Sequence, residues 1–292
     1  MSTKMLEVHN LVCHRDVSIA LICLKSLLAT SQEKLQIIVH DDGSLTDEDQ
    51  TFIRAQLPNS TLMPRDQADR ELAIVLDGLP TLRKARLKLP HLLKVLDVPI
   101  LCRSNNVCFV DSDVFFLRAH RGLFEISKTR SVCARFMFDI RTCHGFRLKD
   151  FWPLGPVSPI ARLNSGLFCI KRNVIDFDWV EAVCGRVGLP QILQHRSWFE
   201  QGLWAAIAGR VGCEMIDSSQ IATAEIVSQI PQDPIALHFI TPVRASLKNY
   251  LADAQPSRSA EKIRSVPAAH HTILHAGSAA GLFRLHRLFH DH

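Results

Sequence analysis

Strand-like and helix-like patterns of apolar residues alternate along the first third of the chain. Residues 6–13 and 35–40 are short apolar runs typical of strands, whereas residues 17–28 place apolar side chains at helical spacing. Thr46 and Asp49 have the spacing of a capping box, which predicts that another helix begins there. This alternation predicts an α/β fold with helices packed on a central sheet.

The same reading extends the elements to about residue 250. Residues 72–76 predict a short strand, and residues 81–96 predict a basic amphipathic helix that Pro90 interrupts. Residues 106–110 form an apolar run, as expected of a strand buried on both faces. The long connection 139–163 is rich in Pro, Gly and aromatic residues, and loops of that length are usually functional or disordered. Further strands are predicted at 131–138, 166–170 and 234–240, and a helix at 197–208.

Composition narrows the class of protein. Apolar residues make up 47% of the 292 positions and charged residues 22%, which is ordinary for a globular protein. The net charge of +5 suits anionic ligands such as nucleotide diphosphates, or an anionic membrane surface, but is too small to indicate nucleic-acid binding. No uncharged apolar run reaches the ~18 residues of a membrane span, and the N-terminus lacks the apolar stretch of a signal peptide.

The cysteines add a second indication of location. None has the two-residue spacing of a zinc ribbon or a thioredoxin-like pair, and most lie within apolar runs. We therefore expect reduced core cysteines and a cytoplasmic protein.

Two acidic residues follow the predicted strand 106–110. Asp111 and Asp113 flank Ser112, and side chains two positions apart in an extended chain point to the same side. Both carboxylates would meet at the carboxyl end of a central strand, where open α/β sheets bind ligands. Two uncompensated acids there repel each other, and Mn²⁺ or Mg²⁺ would resolve the repulsion while substrate phosphates complete its ligand shell. The alternatives are a solvated loop pair or a helix N-cap.

The segment 109–116 resembles the Asp-x-Asp motif of GT-A glycosyltransferases, which is also flanked by apolar residues. Residues 40–44 resemble the element of that family that holds the nucleotide base and ribose, and residues 164–168 resemble its Asn-x-Gly strand near donor and acceptor. The donor contacts that the resemblance implies here are Asp41, Asp42, Ser112, Asn164 and Gly166.

The resemblance continues to about residue 250. Glu200 and Gln201 resemble the acidic-Gln pair at a helix start that faces the reacting sugar, and the resemblance makes them the expected catalytic residues. His238 resembles the C-terminal metal-binding histidine of the family and would complete the cation site of the two acids. The basic residues expected to meet the diphosphate are Arg86, Lys94 and Arg244.

The resemblance implies both a fold and an activity. The fold would be GT-A, a Rossmann-like mixed central sheet flanked by helices, in a single domain over residues 1–250. Residues 251–292 would form a C-terminal extension, either amphipathic, with a peripheral membrane contact, or poorly ordered. The activity would be metal-dependent, hexosyltransferase-like transfer from a nucleotide-diphosphate sugar, usually a UDP-sugar, to a hydroxyl of a glycan, lipid or protein. Whether the transfer inverts or retains the sugar configuration stays open.

Several of these residues also have a structural interpretation. The acids of residues 40–44 suit a turn at Gly43, and Glu200 suits the N3 position of a capping box on Ser197. Asn164 suits a turn before a strand, and a histidine in an apolar strand, such as His238, is usually a buried core residue.

Two other functions remain open on the sequence alone. An apolar strand followed by Asp-x-Asp also resembles the nucleophile loop of haloacid-dehalogenase-type phosphatases, in which the first acid attacks phosphorus. That fold places its nucleophile near the N-terminus, whereas this motif follows about a hundred residues of predicted α/β structure. An inactive GT-A domain that binds a nucleotide or a partner is the second alternative.

Overall fold

The computed structural model of the chain describes residues 5–145, 157–224, 231–253 and 259–270. The strands in these ranges are β1 (Leu6–Val12), β2 (Leu35–Asp41), β3 (Thr61–Met63), β4 (Asn106–Val110), β5 (Val114–Phe116), β6 (His120–Arg121), β7 (Ala134–Phe138), β8 (Leu163–Lys171), β9 (Cys213–Ile216), β10 (Ile221–Ala224), β11 (Ala236–Phe239), β12 (Glu261–Lys262) and β13 (Ser265–Pro267). The α-helices are α1 (Val17–Thr30), α2 (Asp47–Gln56), α3 (Arg65–Asp77), α4 (Pro80–Arg86), α5 (Asp97–Leu101), α6 (Phe177–Val187) and α7 (Leu189–Val211). The 3₁₀ helices include His14–Asp16, Pro90–Lys94 and Thr241–Asp253.

A large mixed sheet organises the molecule. Its strand order is β13-β9-β7-β8-β4-β1-β2-β3, and β4, β1, β2 and β3 run parallel to one another. β8 runs antiparallel to both β4 and β7. A smaller sheet, β10-β11-β5, brings β11 alongside the strand that follows the Asp-x-Asp segment. The predicted mixed α/β sheet flanked by helices is confirmed.

Apolar side chains cover both faces of the large sheet. On one face, α3, α4, α6 and α7 pack around Phe109, Phe168 and Trp204, with ring centroids 5.3 Å apart for the two phenylalanines and 4.6 Å apart for Phe168 and Trp204. On the other face, α1 packs against Val8 and Val110. β1 and β4 are therefore central strands, and their carboxyl ends are held in place by core packing on both sides.

Several predicted elements differ from the observed ones. Residues 72–76 are helical, because they belong to α3, where Leu72 and Leu76 recur at helical spacing on its buried face. The interruption at Pro90 is confirmed, since α4 ends at Arg86 and a 3₁₀ helix begins at Pro90. The capping box of Thr46 and Asp49 is also confirmed. The helix predicted to open at residue 197 instead begins at Leu189.

The segment after residue 250 contains regular structure that its sequence pattern did not indicate. β12 pairs with β6, and β13 adds an antiparallel strand to β9 at the edge of the large sheet. The apolar stripe predicted near residues 282–289 lies outside the described residues. The domain boundary at residue 250 therefore stays a prediction. Within the described ranges, no helix combines the length and apolar character needed to cross a membrane.

Candidate active site

A cleft of about 1100 Å³ opens at the carboxyl ends of β1, β2 and β4. This is the edge at which open α/β sheets bind ligands. Many of the residues chosen from the sequence line it: Asp42, Lys94, Asp111, Ser112, Asp113, Asn164, Glu200, Gln201, His238 and Arg244. The cleft also contains polar residues that sequence reasoning did not select, among them Asp16, Asp139 and Ser165.

The Asp-x-Asp segment is a turn fixed by its neighbours. The backbone N–H of Asp111 donates to the carbonyl of Gly166 at 2.6 Å, which attaches the turn to β8. The Ser112 hydroxyl donates to the carbonyl of Leu11 at 2.8 Å, which attaches it to β1. Ser112 therefore positions the two acids, and this bond gives its side chain a structural partner in β1.

Asp113 is buried between two cationic side chains. One of its oxygens lies 3.0 Å from Nε2 of His238, and the other accepts from the Arg244 guanidinium at 2.7 Å. Burial alone would raise the pKa of Asp113, but His238 and then Arg244 lower it to about 2. The same contact with Asp113 outweighs the burial of His238 and raises the pKa of the imidazole. Arg244 is held from its other side by Asp16 at 2.8 Å.

Lys94 connects the other acid to the candidate catalytic carboxylate. Its ammonium lies 3.0 Å from Asp111 and 3.7 Å from Glu200. Burial would lower the pKa of Lys94, but attraction to Asp111 and Glu200 raises it. Glu200 also accepts a hydrogen bond from the Ser165 hydroxyl at 3.0 Å. Burial is the main reason that the pKa of Glu200 is raised to about 7, against the smaller lowering effect of Lys94.

Asp111, Asp113 and His238 together suit a divalent cation. One ligand atom from each lies within 4.8 Å of the other two. Two carboxylates and an imidazole are a donor set that Mn²⁺ accepts. Nδ1 of His238 is buried with no hydrogen-bond partner among the described residues, and a neutral imidazole with its proton on Nδ1 would offer the Nε2 lone pair to the cation. The sequence predicts that the charges of these two acids are uncompensated. In the structure, Lys94, His238 and Arg244 already balance them.

Gly166 makes room for the imidazole. A Cβ added there would lie 2.5 Å from Cε1 and 2.8 Å from Nδ1 of His238, and 2.8 Å from Oδ1 of Asn164. Asn164 is held by its own turn, since its Oδ1 accepts from the N–H of Gly166 at 2.7 Å. The pairing of β7 with β8 is irregular at this point. Phe136 pairs with Phe168, but the next residue, Met137, pairs with Asn164, so β8 bulges around Gly166.

We expect Gly166→Ala to displace His238 and to weaken cation binding. The overpacking should lower the free energy of unfolding by about 1–3 kcal/mol, and Mn²⁺ titration should show reduced affinity. Gly185→Ala is the matched control, because Gly185 is exposed in α6 and a Cβ there meets nothing closer than 3.7 Å. Unchanged Mn²⁺ affinity in Gly166→Ala would show that the imidazole does not belong to the site.

Gln201 is tied to the loop that follows β7. Its amide nitrogen donates to Asp139 and to the carbonyl of Cys143, both at 3.0 Å. The same oxygen of Asp139 accepts from the Asn164 amide at 3.1 Å. Asp139 thus connects the two amide residues chosen from the sequence. It begins the long connection that was expected to be functional, but nothing in its sequence context singled it out.

The two acids of residues 40–44 have different positions. Asp41 is buried, and its carboxylate accepts from the backbone N–H groups of Gly43 and Leu45 at 2.7 and 3.2 Å. Asp41 is not among the residues that line the cleft, and its carboxylate stabilises the turn at Gly43, where φ is +100°, so its expected role as a donor contact stays a prediction. Asp42 does line the cleft, while its Oδ1 accepts from the N–H and hydroxyl of Ser44.

The expected contact of Arg86 with the diphosphate is corrected by the structure. Its guanidinium is buried away from the cleft and donates to both oxygens of Asp97 at 2.7 and 2.6 Å, and to Asp69 at 2.6 Å. These partners lie on α5 and α3, so Arg86 joins three helices. Three of its five N–H donors are taken by these carboxylates and the side chain does not line the cleft, so it is unsuited to binding a diphosphate there.

We expect Arg86→Ala to lower the free energy of unfolding by about 3–5 kcal/mol, because it leaves the buried Asp97 carboxylate unpaired. The affinity of the folded variant for nucleotides should not change. Arg83→Ala is the control: its ion pair with Asp77 is exposed, and such pairs contribute about 0–1 kcal/mol. Chemical denaturation measures the free energy of unfolding of each variant. Equal losses in Arg86→Ala and Arg83→Ala would show that Arg86 is not a buried structural cation.

The sequence matches no model of a known protein family and no curated protein. The structure is nevertheless similar to solved glycosyltransferases. Mouse xyloside xylosyltransferase 1 in its apo form aligns with a TM-score of 0.51 and 12% identity, over 82% of this chain and 99% of that one. An active-site mutant of LgtC aligns with a TM-score of 0.51 and 12% identity, over 90% and 98%. Core-mannan synthase A from Aspergillus fumigatus, in an Mn/GDP form, aligns with a TM-score of 0.50 and 12% identity, over 73% of each chain. The chain therefore has the GT-A glycosyltransferase fold.

Proposed function

We propose that this chain is a metal-dependent glycosyltransferase that moves a sugar from a nucleotide-diphosphate donor to an acceptor hydroxyl. The observation that carries the proposal is the cluster of Asp111, Asp113 and His238 in the large cleft, with Glu200 buried on the other side of Lys94. The fold alone would not suffice, because one fold hosts many functions.

Asp111, Asp113 and His238 would hold the cation. When bound, Mn²⁺ or Mg²⁺ would supply a Lewis acid that neutralises charge developing on the departing diphosphate. The imidazole favours Mn²⁺, because Mg²⁺ has a stronger preference for oxygen ligands. A cation there would compete with Lys94 and Arg244 for the carboxylates, and both side chains would then be available to the phosphates.

Arg244 has the position required of a diphosphate-binding residue. Its side chain is a quarter exposed and lines the cleft, and Asp16 would still hold it after a cation had taken Asp113. A guanidinium held in this way offers positive charge without reorganising when the bond to the phosphate breaks. Lys94 offers a second, more deeply buried positive charge.

Glu200 suits proton transfer or charge stabilisation at the sugar. A pKa of about 7 lies near the working pH, which favours a general base. In an inverting reaction Glu200 would take the proton of the acceptor hydroxyl. In a retaining reaction its charge would instead stabilise the oxocarbenium-like transition state. Gln201 and Asn164, joined through Asp139, would orient the sugar beside it.

The donor is expected to be a UDP-sugar and the acceptor a glycan, lipid or protein hydroxyl. Solved relatives by fold include LgtC, a galactosyltransferase in complex with donor and acceptor sugar analogues, with a TM-score of 0.50. The form of core-mannan synthase A cited above contains GDP, so a guanine donor belongs in the same test. A cytoplasmic location, with or without a peripheral membrane contact, stays part of this proposal.

The experiment is a thermal-shift screen of nucleoside diphosphates with and without Mn²⁺, followed by donor hydrolysis. A ligand at 100 times its Kd should add about 2.7 kcal/mol of stability. We expect one nucleoside diphosphate to give this shift, and only when Mn²⁺ is present. Hydrolysis of the matching nucleotide sugar should show the same dependence. A shift without hydrolysis or transfer would identify a binding module, and turnover of p-nitrophenyl phosphate without a nucleotide shift would overturn the proposal.

A further inference from the structure

A second group of metal-ligating side chains lies toward the amino-terminal ends of β1 and β4. Glu7 and His9 are two residues apart on β1, and Cys102 follows the last residue of α5. A carboxylate oxygen, a ring nitrogen and the thiol sulfur of these residues lie within 4.8 Å of one another. Cys102 precedes β4 and Asp111 follows it, and between them His9 of β1 pairs with Phe109, two residues before Asp111.

The buried imidazole of His9 has one ring nitrogen without a hydrogen bond to any residue that the structure describes. The residue is completely buried, and Nε2 has no hydrogen-bond partner among the described residues. This nitrogen forms an ion-pair contact of 3.0 Å with Oε1 of Glu7, although its geometry falls short of a hydrogen bond. A buried polar nitrogen without a hydrogen bond costs free energy. Oε1 of Glu7 and Nε2 of His9 are close enough to each other to be ligands of one metal ion.

The surrounding contacts hold these ligands in place. Glu7 accepts from the backbone N–H of Arg103 and from the hydroxyl of Ser104, both at 3.1 Å. Nδ1 of His9 is 2.8 Å from Nε2 of the buried His40, so one ring partner is already assigned and Nε2 faces Glu7. Hydrogen bonds of this kind orient the histidine and carboxylate ligands of metal sites.

We propose that Glu7, His9 and Cys102 form a second metal site, one that binds a borderline-soft divalent cation of the Zn²⁺ type. Sulfur and imidazole ligands select Zn²⁺ over Mg²⁺ or Mn²⁺. On binding, the S–H bond of Cys102 breaks, a sulfur–metal bond forms and the proton passes to solvent. The carboxylate and the thiolate then balance the two positive charges, which suits a buried position.

The site would strengthen the frame beneath the cleft. It would join β1 to the α5–β4 connection, which are the strand and the segment that lead to Ser112 and its acidic neighbours. The inference does not depend on sugar transfer, because it concerns different residues toward the amino-terminal ends of β1 and β4. Cation binding here should therefore survive even if the transferase proposal fails.

The test uses Co²⁺ as a spectroscopic probe of the full-length protein after treatment with a chelator. A Cys102 thiolate bound to Co²⁺ should give a charge-transfer band in the near ultraviolet, at one equivalent of metal, that excess Zn²⁺ removes. The cluster of Asp111, Asp113 and His238 has no sulfur ligand and cannot produce this band. Cys102→Ser should abolish the band, whereas Cys13→Ser and Cys143→Ser, whose cysteines line the cleft, should retain it.

A second pair of variants guards against a Cys102→Ser protein that fails to fold. Glu7→Gln and His9→Gln keep the thiol, and each should weaken the affinity for Co²⁺ at least about tenfold. Zn²⁺ should also raise the melting temperature of the wild-type protein more than that of His9→Gln, in which only the Asp111, Asp113 and His238 cluster can still bind it. No band in the wild-type protein, or full Co²⁺ affinity in both glutamine variants, would overturn the proposal and leave Glu7, His9 and His40 as a metal-free polar cluster.

Discussion

Replacing Asp111 by Asn should lower kcat/KM for sugar transfer by about 10³-fold or more, while the protein stays folded. A cation ligand at a departing diphosphate contributes several kcal/mol to the transition state, and each 1.36 kcal/mol is a factor of about ten in rate. Asp111 is the better of the two acids to replace. Its side chain is 24% exposed, whereas replacing the 4% exposed Asp113 would also remove the carboxylate that His238 and Arg244 share.

Steady-state kinetics over a Mn²⁺ titration measure the effect. If Asp111 binds the cation, Asp111→Asn should raise the Mn²⁺ concentration needed for half-maximal activity as well as lower the maximum. Asp66→Asn makes the same chemical change on the exposed face of α3, where its partner is Arg70, and should leave both parameters unchanged. Activity in Asp111→Asn equal to that of the control would remove the observation on which the proposed function rests.

Local sequence was sufficient to predict the strand that leads into the site. Residues 106–110 are predicted to form a central strand, because they are a run of apolar residues that ends at two acids, as at the carboxyl end of such a strand. Recognition of His238 needed more, since nothing in residues 236–239 distinguishes a ligand from a core histidine. The order of the motifs supplied that information, and the pairing of β11 with β5 places His238 beside Val114, next to the second acid.

Helix boundaries failed where two local signals competed. Ser197 and Glu200 have capping-box spacing, yet the helix begins at Leu189, after Gly188 with φ +85° and with Pro190 in its first turn. That Gly-Pro signal was present in the sequence. Ile74 and Val75 made residues 72–76 strand-like, although both are exposed and the helix α3 is held through its other face.

The partners of the charged residues were beyond sequence reasoning. Arg86 belongs to the basic helix predicted over residues 81–96 and was expected to meet the diphosphate, whereas its pairing with Asp97 depends on how α4 and α5 pack. Lys94 reaches Asp111, 17 residues away, and Glu200, 106 residues away, only because the sheet assembles the three elements. Compensation of the acid pair by the protein's own cations is therefore a property of the tertiary structure.

Glu200→Gln should raise the free energy of unfolding at alkaline pH and lower the rate of sugar transfer. Burial raises the pKa of Glu200 from an ordinary 4.5 to about 7, so the folded state favours the neutral carboxyl. A group with a raised pKa in the folded state contributes its full stability below pH 4.5, and this contribution is lost as the pH rises to about 7. At 1.36 kcal/mol per pH unit, the wild-type protein at pH 8 is short of its low-pH stability by up to about 3 kcal/mol.

The neutral amide of Gln removes this loss. The free energy of unfolding of Glu200→Gln at pH 8 should therefore exceed that of the wild-type protein by about 1–3 kcal/mol, and the difference should vanish near pH 4.5. Denaturation at the two pH values measures it. Glu71→Gln, on the exposed surface of α3, should show no difference at either pH.

Transfer activity of the same variant should fall by about 10²–10⁴-fold if Glu200 is the general base. In the wild-type protein, kcat should then rise with pH through about 7, since the base must lose its proton, and this limb should be absent from the residual activity of Glu200→Gln. A stabilised variant with full activity would show that Glu200 is a buried acid with no part in transfer. A variant that loses both stability and activity would instead show that its contacts with Ser165 and Lys94 hold the cleft together.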